Sequence, residues 1–500
     1  MRSIPSGVVG FAALALLVFA TACQQIPPAP LSAEDGARRI EARSLADPAL
    51  GTCLEERFGR PTNPWPPTRW SLEDLTRVAI CFNPTLAVAR ATADVARAHE
   101  RTVAQLPNPI FMVQPFYVAN GVASGAAPWF SQFNLSGLIE TAGKRAHRRA
   151  AAEAGARMAE AGTITAAWTI RGQVSQAAIA LRAAAGRSAS HARIAALLRR
   201  RAELLAHRVE QGYAARSEVA VARRDLLQAE SQSATARRLE SQARANLATT
   251  LGLPSEALVG VSLADELDQD LADELADDLD RPIGGEVGDG SAGGGAGPPE
   301  AWTRAATLDA ATARHVALIG RADVRAALAD YDAAEANLRL QLAQQYPNIT
   351  FGPAYKYDKS QNDYGLALSV ELPLFSRNAG GIAEAAATRD LVAARFDALQ
   401  TRILSEVDTA AEALETARQE ALRARALVAA AEQADTIAAR QLDAGALDRA
   451  TYLTTRLASA RVAVAAIDAR EALQLAIARL ELAVQPPGPI ADLLAAGDRG

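Results

Sequence analysis

Proline is missing from Trp129 to Leu253 and again from Leu374 to Gln485, and nothing else in the sequence restricts the possible folds so sharply. Without proline no backbone donor is lost and no ring collides with the preceding turn, so each run is free to form continuous helix. One glycine stands where each run would reverse, Gly212 in the first and Gly445 in the second. Lys144 to Gly212 and Gly381 to Gly445 would each rise about 100 Å at 1.5 Å per residue. That is far more than a globular domain needs. The chain is 49% hydrophobic but only 5% aromatic, so much of its apolar character is alanine, which suits long helices at close spacing.

In the second run Val392, Phe396, Leu399, Ile403, Val407, Ala410 and Leu414 recur at spacings of three and four, with Arg, Asp, Glu and Gln between them. This is a coiled-coil-like seam. Alanine on the remaining surface admits a second neighbouring helix, as a sheet of helices requires. The alternative is a solitary antiparallel hairpin that buries one stripe.

The plan occurs twice. "AQLPNPIF" (Ala104 to Phe111) returns as "QQYPNITF" (Gln344 to Phe351), "FNLSGLIE" (Phe133 to Glu140) as "LALSVELP" (Leu366 to Pro373), and "EQGYAARSEV" (Glu210 to Val219) as "DAGALDRATY" (Asp443 to Tyr452). Each copy reads as helix, Pro-Asn turn, strand, loop, strand and long helical hairpin. Strands are expected over Ile110 to Val118, Phe130 to Ile139, Ile349 to Tyr357 and Tyr364 to Leu372. The expected fold class is mainly α with a small β part.

The last strand is strictly two-faced. Tyr364, Leu366, Leu368, Val370 and Leu372 share one face; Gly365, Ala367, Ser369 and Glu371 share the other. Too few strands exist to cover the apolar face with a second sheet, and each strand has about the length that a tilted strand needs to cross a bilayer. The large residues are therefore assigned to lipid, and Ser369 and Glu371 to a water-filled lumen. Four strands cannot close a barrel, which needs about eight, and an open edge cannot face hydrocarbon. The strands must be pooled between copies. Pro373 is expected to end the ladder, and Gly380 with Gly381 to turn the chain into helix. In the first copy Lys144, Arg145, Arg148 and Arg149 gather at the same place, either facing anionic headgroups or simply solvated.

The N-terminus carries Arg2, an apolar run of 13 residues from Val8 to Ala20, and "ATAC" ending at Cys23. The run is too short to span a bilayer and reads as an export signal. A small-residue site ending in cysteine resembles the bacterial lipoprotein signal, which makes Cys23 the lipidation site, with simple signal-peptide cleavage nearby as the alternative, and Gln24 after it points to the outer membrane. Export places Cys53 and Cys81 in an oxidising compartment, where a disulfide between them is expected, with two buried thiols as the alternative. Leu263 to Glu300 is an acidic run followed by a glycine-rich stretch and reads as a solvated insertion. The chain thus divides into a signal peptide (1–22), a lipidated tether (23–70), a first repeat (71–256), a linker (257–300), a second repeat (301–486) and a tail (487–500).

Several function classes are excluded. A net charge of −5 with no basic stripe and interleaved aromatics argues against nucleic acid. His99, His147, His191, His207 and His315 have no second ligand at i+3 or i+4, and neither a phosphate-binding glycine loop nor a nucleophile elbow is present. No enzyme, cofactor or metal site is expected.

The duplicated plan, "RADVRAALADYDAAEANLRLQLAQQYPNITFGPAY" (Arg321 to Tyr355) and "ELPLFSRNAGGIAEAAA" (Glu371 to Ala387) resemble the TolC-type outer membrane efflux proteins along nearly all of the mature length. Pro373, Leu374, Phe375, Arg377, Asn378 and Gly380 resemble the cobalt-zinc-cadmium, heavy-metal branch. The resemblance implies a homotrimer with a twelve-stranded outer-membrane β-barrel continued by a periplasmic α-helical barrel. It implies passive export, with a periplasmic adaptor (membrane fusion) protein and an inner-membrane RND-type pump as partners and outer membrane lipid around the barrel. Gly212, Tyr213, Ala214 and Arg216, with Gly445, Ala446, Leu447 and Asp448, would be the periplasmic tips that meet the adaptor. Some relatives carry an aspartate ring beyond the second tip; here Thr451 and Thr454 stand there, with Asp448 nearby. The substrate is read as heavy-metal cations, with drugs or other organic solutes as the alternative. The rival from another class is a periplasmic adaptor or structural coiled-coil lipoprotein without a pore.

Overall fold

The structure, a computed structural model, describes residues 26–58, 65–117, 119, 129–261, 263, 308–358 and 361–486. The lipidation candidate Cys23, almost all of the acidic and glycine-rich insertion, and the tail lie outside them. The chain separates into two compact units, Met1–Arg43 and Ser44–Gly500. The first holds one described helix, α1 (Ala33–Glu41), capped by the Ser32 hydroxyl, which accepts from the Asp35 amide at 3.2 Å.

The second unit begins with α2 (Pro48–Phe58), α3 (Leu72–Phe82) and α4 (Pro84–Val103). Ser71 and Asp74 form a reciprocal capping box at the start of α3. Asn83 caps α4 through the Thr85 amide at 2.8 Å, with Pro84 in the first turn, where its missing N–H is not needed. Cys53 of α2 and Cys81 of α3 form a disulfide. The strands β1 (Ile110–Tyr117) and β2 (Trp129–Ile139) follow, then the long hairpin of α5 (Lys144–Glu210) and α6 (Arg216–Leu251). The second copy comprises α7 (Ala310–Gly320), α8 (Ala322–Ala343), β3 (Ile349–Asp358), β4 (Gln361–Val370), and a second hairpin of α9 (Ala379–Asp443) and α10 (Arg449–Val484). With 67 residues in α5 and 65 in α9, each rises about 100 Å, as the proline-free runs require. No described helix is both long and apolar enough to cross a membrane.

Two large cores hold the helices together, with two smaller clusters around Leu198 and Leu205 further along the first hairpin. Leu50, Leu54, Leu75, Val78, Ile80 and Leu86 pack against Trp168, Ile170 and Val174 of α5 and Leu247 and Leu251 of α6. In the second copy Ile403, Val407, Ala410 and Leu414 of α9 are buried against Leu473, Ile477, Leu480 and Val484 of α10 and Ala317 and Val324. Each such leucine or isoleucine contributes about 1.5–3 kcal/mol when fully buried. Val392 is also buried, and Phe396 and Leu399 are half-buried, so the expected seam is the observed one.

The strands form one antiparallel sheet in the order β1-β2-β3-β4. Strand β4 ends at Val370, not at Leu372 as its alternation implied. Val370 pairs with Ile349, and before Ile349 the chain is the Pro347-Asn348 turn, which offers no further partner within this copy. Glu371 and Leu372 therefore leave the ladder, and it is the start of β3, rather than Pro373, that ends it.

Candidate functional site

Register assigns every strand residue to a face, because paired residues point to the same side. One face carries Phe111, Val113, Pro115 and Tyr117 of β1, Phe133, Leu135 and Ile139 of β2, Ile349, Phe351, Pro353 and Tyr355 of β3, and Tyr364, Leu366, Leu368 and Val370 of β4. A row of rings crosses all four strands: Phe111 to Phe133 at 6.3 Å, Phe133 to Tyr355 at 5.9 Å and Tyr355 to Tyr364 at 5.3 Å between centroids. The opposite face carries Gln114, Gln132, Asn134, Ser136, Thr350, Lys356, Asp363, Gly365, Ala367 and Ser369, together with the apolar Ile110, Met112 and Phe116 of β1 and Phe130 and Leu138 of β2. Lys356 lies 5.0 Å above the Phe130 ring there.

The apolar face is uncovered. Tyr364, Leu366 and Leu368 are 82%, 79% and 71% exposed, and among the described residues β1 and β4 each have one unpaired edge. In water such a surface is an aggregation site, whereas hydrocarbon suits it once the edges are paired. At Gly352, in the middle of the sheet, a β-carbon would lie 1.7 Å from the Leu135 carbonyl oxygen, so no larger residue fits.

The turn from strand into helix is made differently from the sequence expectation. Gly380 and Gly381 lie inside the first turn of α9, and the left-handed residue is Asn378, at φ 57°. Its amide Nδ2 donates to the Gln341 carbonyl at 2.9 Å and the Gln341 Oε1 at 2.8 Å. Gly381 leaves room for these amides: a β-carbon there would sit 2.5 Å from Asn378 Oδ1 and 2.7 Å from Gln341 Oε1, and both side chains would have to shift. In the first copy Ala142 and Gly143, at φ 55° and 71°, do the same work. The cations that follow are bound within the protein. Lys144 is buried and its Nζ donates to the Tyr346 carbonyl at 2.5 Å and Asn348 Oδ1 at 2.6 Å, both in the Pro-Asn turn of the other copy. Arg145 donates to the Ala104 carbonyl, Arg148 pairs with Glu140 at 2.7 Å, and Arg149 with Glu153 at 3.3 Å.

The two helical tips share one backbone device. Gly212 and Gly445 adopt φ 78° and 72°, and the residue after each donates back to the third-last helical carbonyl: Tyr213 to Arg208 and Ala446 to Gln441, both at 2.8 Å. This is the six-to-one closure that ends helices at glycine. The return helices start differently. Asp448 caps α10, accepting from the Ala450 amide at 2.7 Å, the Thr451 amide at 3.1 Å and the Thr451 hydroxyl at 2.8 Å. Ala215 has no side-chain oxygen to offer, and only Glu218 reaches back, at 3.4 Å. The Thr451 hydroxyl, then the Thr451 and Ala450 amides, hold the Asp448 carboxyl below the usual carboxylate range, and Arg208 adds to this from 3.6 Å. Asp448 is thus already committed as a cap and as the link between tips.

Between the tips and the sheet, the hairpins are joined by a repeated clasp that the sequence patterns did not disclose. Arg171 donates from Nε and Nη2 to Glu481 at 2.9 and 2.7 Å, with both side chains only 4% exposed. Next to them, the Leu482 side chain comes within 3.0 Å of the place where Gly172 would carry a β-carbon. Further along, Arg187 pairs with Asp468 at 2.7 Å and with Glu471, and Ile467 comes within 3.2 Å of the same place on Gly186, two heptads from Gly172. Each glycine beside an arginine thus receives an apolar knob beside a carboxylate. No group of three His, Cys, Asp or Glu side chains able to hold a metal is found among the described residues.

Residues 313–484 match the family described as outer membrane efflux protein. The whole architecture is shared with solved channels. VceC of Vibrio cholerae is 18% identical, covering 82% of this chain and 95% of that one with a TM-score of 0.61. The fold is that of the TolC-like outer membrane channels. Within it, the open state of MtrE from Neisseria gonorrhoeae is 19% identical over 83% of this chain and 89% of that one, with a TM-score of 0.61. CmeC of Campylobacter jejuni is 14% identical over 95% and 98%, with a TM-score of 0.63. No curated protein matches the chain in sequence. Like those channels, this TolC-like fold sets a small antiparallel sheet on long helical hairpins.

Proposed function

We propose that this protein is the exit duct of a tripartite efflux system, spanning the outer membrane and passively conducting solute to the exterior. The observation that carries this reading is the four-stranded sheet with one apolar face exposed across its full width and a free edge on each side. Such a sheet meets its requirements only when copies pool their strands around a polar lumen. A homotrimer gives twelve strands, with the hairpins continuing as a helical barrel on the periplasmic side. The tips would then meet an adaptor through Gly212, Tyr213, Ala214, Arg216, Gly445, Ala446 and Leu447. Among these Tyr213 is 81% exposed, as a docking aromatic should be. Energy and substrate choice would enter from an inner-membrane RND-type pump, as the resemblance implies. Lipid on Cys23 would anchor the N-terminus to the same membrane, and labelling with radioactive palmitate tests it directly.

For substrate, the resemblance of Pro373–Gly380 to the heavy-metal branch supports metal cations. Asn378 of that motif turns the chain at φ 57° and anchors on the Gln341 carbonyl. The reading is tested by membrane fractionation and by deleting the gene. The expected results are a heat-modifiable oligomer in the outer membrane fraction and raised sensitivity to zinc, cobalt or cadmium. Unchanged metal tolerance with raised drug sensitivity would reassign the substrate, and a soluble periplasmic monomer would remove the duct reading altogether.

A further inference from the structure

In the segment that joins the two repeats, nine carboxylates fall between Asp265 and Asp280 with no lysine or arginine among them. The described residue that leads into this run, Leu263, is half-buried, bridges to Trp70, and lines a cleft of about 420 Å³ between α5, α6 and α10. Among the described residues the cleft is lined by three guanidiniums, Arg182 of α5, Arg244 of α6 and Arg470 of α10, and by one carboxylate, Glu471. Glu471 already receives Arg187, and Arg244 reaches Glu240 at 2.8 Å. Gln474, 5% exposed, adds a buried amide to the lining. Positive charge thus exceeds negative at the place where the acidic run starts.

Chain connectivity brings the two charges together. Each residue adds at most about 3.6 Å of reach, so the Asp265 and Glu266 backbones begin within about 11 Å of Leu263 whatever course the chain takes. Screening at physiological ionic strength acts over about 8 Å, and the arginine and carboxylate side chains close much of the remaining gap. Positive charge held partly out of water favours a carboxylate as its neighbour. We infer that the start of the acidic run, Asp265, Glu266 and Asp268, docks in this cleft with its carboxylates on Arg182 and Arg470, as an internal clamp rather than a solvated loop. Arg182 precedes Arg187 by five positions on α5, and Arg470 lies between Asp468 and Glu471 on α10. The clamp therefore falls beside the ion pairs that Arg187 makes with those two carboxylates. The segment that joins the repeats in sequence then also fastens α5 of the first to α10 of the second.

The test exploits the scarcity of lysine, of which the chain has three, Lys144, Lys356 and Lys359. Full-length protein carrying Arg182→Lys or Arg470→Lys is treated in native membranes with a carbodiimide, which joins an amine to a carboxylate in direct contact, and its peptides are mapped by mass spectrometry. Arg187→Lys is the reference, because its carboxylate partners are Asp468 and Glu471. The expected result is a cross-link from position 182 or 470 to the peptide that holds Asp265, Glu266 and Asp268. Its yield should match the reference and exceed links to Asp277, Asp278 or Asp280 several-fold. Asp265→Asn with Glu266→Gln and Asp268→Asn should abolish it. Links spread evenly along the acidic run, or none from either position while the reference links, overturn the docking. A linked product that migrates as a dimer in SDS gives the cleft to a second copy and overturns the assignment to the chain's own segment.

Discussion

Glu481 sits with Arg171 where water is excluded, and the consequence of separating them is large enough to measure. Both side chains are 4% exposed and joined by two hydrogen bonds at 2.7 and 2.9 Å. Replacing Glu481 by Gln removes the countercharge and leaves a guanidinium without its ion in a low-dielectric seam. Replacing Arg171 by Met takes the guanidinium away from the buried carboxylate instead. Breaking a buried pair from either side costs about 3–5 kcal/mol, whereas exchanging both partners for apolar residues of similar volume is often neutral or better. Each single variant should therefore lower the folding equilibrium constant by about two to four powers of ten, and Arg171→Met with Glu481→Leu should recover most of the loss. Urea unfolding followed by helical circular dichroism, at fixed protein and detergent concentration, gives the three midpoints and the coupling energy. Single variants within about 1 kcal/mol of the parent, with additive effects in the double variant, would refute the view that this pair holds the two hairpins together.

The disulfide closes a loop with a sequence separation of 28 residues, so Cys53→Ser with Cys81→Ser should cost about 3.6 kcal/mol and expose α2 to limited proteolysis before the hairpins. Gly352→Ala should abolish the heat-modifiable oligomer, because its methyl would overlap the Leu135 carbonyl, whereas Gly365→Ala, with nothing within 4 Å, should assemble normally. Asp448 provides a pH test. Its folded-state value is depressed, so its cap is fully made at neutral pH and is lost as pH falls through that depressed value, below about pH 4. After correction for intrinsic rates, amide exchange at Ala450 and Thr451 should accelerate there in the parent, and Asp448→Asn should remove the acceleration.

The long helices were legible because their rule is local: absence of proline and a three-four recurrence of apolar residues are both written along one segment. The faces of β4 were legible for the same reason, since its alternation belongs to the strand itself, whereas β1 has large apolar residues at both parities and its faces follow only from its pairing with β2. What escaped depends on a partner. The end of β4 at Val370 is decided by where β3 begins, more than ten residues earlier in the chain, and no pattern in "SVELP" contains that fact. The glycine pair drew attention to itself as a turn, but Asn378 tolerates the left-handed region too and anchors its side chain to Gln341 across 37 positions. Lys144 and its neighbours looked like a free basic cluster, yet Lys144 and Arg145 reach the carbonyls of Tyr346 and Ala104, which no side-chain pattern discloses, while Arg148 and Arg149 pair with Glu140 and Glu153. The clasp was hidden because Gly172 and Gly186 are two among many small residues on α5, and only the approach of Leu482 and Ile467 singles them out.

The unequal caps of the two return helices reach further than local stability. Three bonds fasten the Asp448 end, while the Ala215 end relies on one long contact from Glu218. In a ring of copies firm and frayed loops would alternate around the mouth. Any protein seated on that rim would then feel three repeats instead of six, and could grip the stiff loops while the soft ones yield.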